Sequence, residues 1–153
     1  MDNRIDPDTV QRHLDAWNAL PPLHRARASM AQLFVDTDHD ALALASIAEQ
    51  LVATGIAPDA LNRIYSEEIS PVCASWAPIG VWPAFDMDEL NARISGRRTK
   101  TTSWLPNVIR DWRRRLNTAN TERNWEQIVA YLNDPDRLRF EIEKLRQEAA
   151  LKL

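Results

Sequence analysis

Three glycines in 153 residues leave few places where the backbone can take the left-handed turns that a tightly looped β fold needs. Aspartate and proline do the punctuation instead. Asp6-Pro7 and Asp134-Pro135 each set an N-cap carboxylate before a proline at the first helical position, where the missing N–H has no partner to lose. Between these signals the apolar residues recur at intervals of three and four. Val10, Leu14 and Trp17 mark a first helix, stopped by Pro21-Pro22. Leu23, Ala26, Met30, Leu33 and Phe34 mark a second, over about Leu23 to Val35, with His24, Arg25 and Arg27 on its exposed side. A third, capped by Asp38, carries Leu44, Ile47, Ala48 and Leu51 and stops at Gly55. A fourth opens at Pro58 and turns Leu61, Ile64, Tyr65 and Ile69 inward; Ser70-Pro71 either closes it or caps a short following turn. Asp86 with Glu89 resembles a capping box for a fifth helix that ends at Gly96.

Beyond that point, Ser103 caps a helix with Leu105, Val108, Ile109, Trp112 and Leu116 inward, and a seventh starts near Thr121 with Trp125, Ile128, Val129 and Leu132. The last helix carries Leu138, Ile142, Leu145, Ala149 and Lys152 in the 4-3-4-3 rhythm of a coiled-coil seam. No alternating strand pattern competes. The expected fold is all-α, a compact bundle of about seven or eight short helices with antiparallel neighbours and no sheet.

Charge divides the chain. Residues 1–95 hold six Lys/Arg and fourteen Asp/Glu, a balance of −8; residues 96–153 hold thirteen and eight, a balance of +5. The polar run Arg97 to Thr102 falls where the sign reverses. The expected organisation is therefore an acidic helical domain over 1–96, a basic linker over 97–103, and a basic helical extension over 104–153 that packs on the first domain. The single cysteine, Cys73, excludes an internal disulfide and any multi-cysteine metal site, and suits a reducing compartment. The polar start of the chain has no basic n-region followed by an apolar run, and no stretch reaches the ~20 apolar residues of a membrane helix. These features point to a cytoplasmic protein without membrane contact.

Three short motifs occur in order. They are Leu33-Phe34-Val35-Asp36-Thr37, then Glu68-Ile69-Ser70-Pro71-Val72 after Leu61-Asn62-Arg63-Ile64-Tyr65, then Trp82-Pro83-Ala84-Phe85-Asp86 before Leu90 and Ile94. Over about residues 28–96 the chain resembles a small bacterial domain family of unknown function that shares these steps at similar spacing. The resemblance implies no activity. Cys73 to Val81 departs from the family pattern, and the basic region after Gly96 reads as an extension outside it.

Candidate chemistry is sparse. Phe34-Val35-Asp36-Thr37-Asp38 looks like the apolar-then-DxD step of haloacid dehalogenase-type phosphotransferases, which hold Mg²⁺ with two carboxylates. Here it follows a helix rather than a strand, and a calcium loop starting at Asp36 would have Ala41 at its glycine position. An inter-helix turn is the better reading. Glu67 and Glu68, adjacent on a helix, point about 100° apart and cannot share a proton as a dyad does. Cys73 has no glycine turn beside it to form an oxyanion hole, and His13, His24 and His39 all lie in the first quarter of the chain. No enzymatic role, metal or cofactor is expected.

What remains is binding. The acidic front suggests a protein partner, most concretely a basic bacterial toxin or enzyme that this chain would neutralise as an immunity protein or inhibitor, since complementary charge speeds encounter. The expected contacts are Asp36, Asp38, Asp40, Glu67 and Glu68, with Trp82 as the candidate anchor; Trp76, Trp82 and Phe85 either pin their loop to the core or present it to the partner. The alternative is a nucleic-acid-associated regulator using Arg97, Arg98, Lys100, Arg110, Arg113 and Arg114, interleaved with Trp104 and Trp112. The oligomeric state stays open, because the last helix has a seam-like rhythm.

Overall fold

A computed structural model of the chain describes residues 6–34, 39–74, 87–99 and 119–152. Among the described residues there are helices and turns and no strand, and the fold is all-α. Helix α1 spans Pro7–Ala19 and α2 spans Pro22–Ala31, extended by a 3₁₀ turn over Gln32–Phe34. Then come α3 (Ala41–Val52), α4 (Pro58–Ile64), a π turn (Tyr65–Ile69), α5 (Ser70–Ala74), α6 (Met87–Thr99), α7 (Ala119–Asn133) and α8 (Pro135–Ala150).

Helix α3 sits at the centre because its sequence leaves it nowhere else to go. Leu44, Ala45, Ile47, Ala48 and Leu51 are all buried. The two alanines let neighbouring helices approach closely, while each buried leucine or isoleucine contributes about 1.5–3 kcal/mol by leaving water. Helices α2, α7 and α8 pack directly on α3. Trp125, Ile128, Tyr131 and Leu132 of α7 and Leu138 and Ile142 of α8 join Met30, Leu33, Leu51 and Leu61 in one hydrophobic core. Outside it, Arg146 of α8 reaches Glu49 of α3 at 2.7 Å.

The aspartate caps work as local chemistry dictates. Asp6 accepts from the Asp8 amide, Asp134 from the Arg137 amide at 3.1 Å, and Asp40 from the Ala43 amide at 2.7 Å. The cap of α3 is thus Asp40 rather than Asp38, so the helix starts later than expected. Gly55 takes φ +73° after α3, a backbone state open to glycine without a Cβ clash.

Pro71 does not end the fourth helix. A proline in a helix lacks a donor, and its ring crowds the carbonyl four residues back. Here the chain widens over Tyr65–Ile69, where the Ser70 amide bonds to the Tyr65 carbonyl five residues earlier. The widened turn absorbs the proline's misfit, and α4, the π turn and α5 run without a break from Pro58 to Ala74. Gly96 likewise does not stop α6, which continues through Arg97 and Arg98 to Thr99. Two other expectations need correction. Arg27 is buried, not on an exposed side, and Leu23 is on the surface. Helix α1 buries none of its residues: Val10 and Leu14, expected inward, are 42% and 50% exposed. The helix expected over 103–116 and the loop over 76–85 lie outside the described residues.

Candidate interaction surface

Seven carboxylates stand exposed on the described residues up to Ala74: Asp6, Asp8 and Asp15 on or beside α1, Asp40 and Glu49 on α3, Asp59 on α4 and Glu67 on the π turn. Facing solvent with them are Arg12 and Arg63, with Arg25 half-buried. Glu49 is neutralised by Arg146. Asp40, Asp59 and Glu67 make no salt bridge among the described residues. Among the described residues up to Ala74, the acidic excess therefore lies on the surface.

The adjacent glutamates part company at the π turn. Glu67 faces outward, whereas Glu68 turns in to a guanidinium 41 residues away in sequence. Nε and Nη2 of Arg27 both lie 2.9 Å from Oε2 of Glu68, and Nη1 donates to Oδ1 of Asn91 on α6 at 2.7 Å. The side chains are only 8% and 9% exposed. Glu68 is thus committed to an internal ion pair that ties α2 to the π turn and α6, and it is not available to a partner on the surface. Of the expected contact residues, Asp40 and Glu67 are on the surface, while Asp36, Asp38 and Trp82 lie outside the described residues. So do Trp76, Phe85, Trp104, Trp112, Lys100, Arg110, Arg113 and Arg114, together with the side chains of Arg97 and Arg98.

A second, part-buried polar cluster surrounds Tyr65 and Trp125. The Tyr65 ring stacks on Trp125 with centroids 4.1 Å apart and planes 10° off parallel, and it also stacks with Phe34 at 6.2 Å. Trp125 donates its indole N–H to Oδ1 of Asn62 at 2.8 Å. The Tyr65 hydroxyl and the Ser70 hydroxyl both lie near Oε1 of Glu122, at 3.4 and 3.5 Å. These bonds join α4, the π turn and α5 to α7. Sequence reasoning missed both clusters. Its one usable signal was that Glu68 and Pro71 stand in the same short motif, and the structure gives both of them architectural work.

Cys73 is fully buried, and burial pushes its thiol up to about 12, so the nucleophilic thiolate is scarce at neutral pH. At the far end of the bundle, burial and a hydrogen bond to Glu141 push the Tyr131 hydroxyl up to about 12, and the same bond with that of Arg137 holds the Glu141 carboxyl below its usual range. Among the described residues no three His, Cys, Asp or Glu side chains are grouped to hold a metal ion. None of the described helices is long and apolar enough to cross a membrane.

Asp40 carries two roles that mutation can separate. Asp40→Ala should lower stability by about 0.5–2 kcal/mol through loss of the cap on α3, whereas Asp40→Asn, an equally good cap, should leave the melting temperature nearly unchanged while removing the charge. Thermal melts of the two variants check this.

Residues 22–131 match the profile of a family described as Domain of unknown function (DUF7079). The chain belongs to that family. The match runs past Gly96, where the resemblance seen in the sequence was expected to end, and takes in most of α7; α1 and α8 flank it. No curated protein and no solved structure matches the chain.

Proposed function

We propose that this member of a family of unknown function is a protein-binding module, most concretely an inhibitor of the immunity type that neutralises a basic bacterial toxin or a similar enzyme in the cytoplasm. The observation that carries the reading is the set of exposed carboxylates on the front half, among them Asp40, Asp59 and Glu67, which make no salt bridge among the described residues. Burial of the Arg27–Glu68 pair strengthens it: one of the front half's few cations is spent internally against one acid, so the surface keeps its negative excess. Carboxylates so placed raise the encounter rate with a basic site and repel acidic competitors. Asp36 and Asp38 join the contact on sequence grounds.

The test is a set of charge variants chosen so that the fold survives. Asp40→Asn keeps the α3 cap, and Asp59→Lys and Glu67→Lys reverse exposed charges outside any described ion pair. Combined, they should leave the circular dichroism spectrum intact and weaken binding to the captured partner by roughly tenfold or more at low salt. Unchanged affinity in the folded triple variant would remove the acidic face from the account.

A further inference from the structure

We propose that the outward face of α8 is a homodimer contact on which two copies of this chain pair antiparallel. The expected coiled-coil seam of this helix is half used inside the protein: Leu138 and Ile142 are buried and Leu145 is half-buried, while Ala149 and Lys152 are exposed. On the opposite side a second stripe has the same rhythm. Phe140, Lys144, Gln147 and Leu151 follow at intervals of four, three and four, on one side of the helix. Phe140 is 72% exposed and Leu151 87%, more than any other large hydrophobic among the described residues.

The stripe is complementary to itself in one orientation. Set antiparallel across a two-fold axis, Phe140 lies opposite Leu151 of the second copy, and symmetry repeats the contact at the other end. The same register puts Lys144 opposite Gln147 and beside Glu148 of the second copy. Within one chain Lys144 and Glu148 are already 3.9 Å apart on the exposed surface, so each lysine can bridge both glutamates. Parallel pairing instead sets Lys144 against Lys144 and brings like charges together. An antiparallel second copy is therefore the occupant that covers both apolar ends and pairs the charges between them. The overlap is about 18 Å of helix. It buries less than the roughly 1,200–2,000 Å² of a standard stable interface, so the dimer should be weak and reversible.

Sedimentation equilibrium of the full chain from ~5 μM to ~1 mM reads this directly. The expected result is a smooth rise from monomer towards dimer mass. Phe140→Glu should hold the chain monomeric throughout. Lys144→Glu should weaken the dimer by roughly three- to tenfold, and Lys144→Glu with Glu148→Lys should restore it, because the exchanged charges again face each other. All three positions are exposed, and a helical spectrum confirms folding of each variant. A chain that stays monomeric at the highest concentration overturns the proposal. So does a dimer indifferent to Phe140→Glu, and a double variant no better than Lys144→Glu overturns the antiparallel register.

Discussion

Glu68→Leu should destabilise the protein by about 3–5 kcal/mol, because it leaves the Arg27 guanidinium buried without its counter-charge. The loss is larger than that of an exposed ion pair, which is worth about 0–1 kcal/mol in screened solvent. Asn91 still accepts from one guanidinium nitrogen, but a neutral amide cannot offset a desolvated cation. Arg27→Met combined with Glu68→Leu should recover most of the loss, and by the same logic can match the wild type, since neither charge then has to be stripped of water. Urea denaturation of the two single variants and the double variant measures the coupling. Additive single losses in the double variant would mean that the two side chains do not depend on each other.

Trp125→Ala should cost about 3–5 kcal/mol, the usual range for deleting a large buried aromatic. Three terms act together: the lost apolar burial, the lost stack on Tyr65, and an Asn62 carbonyl deprived of its donor. Trp125→Phe separates them. It keeps a ring on Tyr65 and removes the indole N–H, so its cost should fall to about 1–3 kcal/mol, the sum of one lost hydrogen bond and a partly filled cavity. The same denaturation measurement ranks the two. Equal losses would place the whole effect in the hydrogen bond.

Both experiments address contacts that the sequence does not announce, and the reason is separation along the chain. Local rules were legible. The cap at Asp6, the Asp134-Pro135 start of α8, the glycine after α3 and the periodic cores of α3 and α7 all follow from interactions within a few residues. At Ser70-Pro71 the local rule allowed either a helix end or the start of a short turn, and neither states that Ser70–Ala74 continues the preceding helix. The deciding fact was that the π turn lets the helix continue through Pro71, holding Tyr65 against Trp125 and Glu68 against Arg27. Arg27 looked like a surface cation because its partner lies 41 residues on. Val10 and Leu14 looked like core because spacing alone states that a stripe exists, not that anything covers it.

The acidic front was legible in part. Counting charges identified it, but the count could not separate Glu67, which faces solvent, from Glu68, which is consumed inside. Nor could it show that Glu49 is neutralised by Arg146 in α8. The exposed remainder is the surface proposed above to meet a basic partner.

The central claim is that this surface binds a protein, and capture from the host lysate tests it most directly. Tagged wild-type chain and the folded Asp40→Asn, Asp59→Lys, Glu67→Lys variant are used side by side, with half of each lysate treated with nuclease. The account predicts one stoichiometric basic protein that survives nuclease and is retained by the wild type but lost by the variant. Nucleic acid recovered in place of that protein, or the same protein retained equally by both chains, would contradict it.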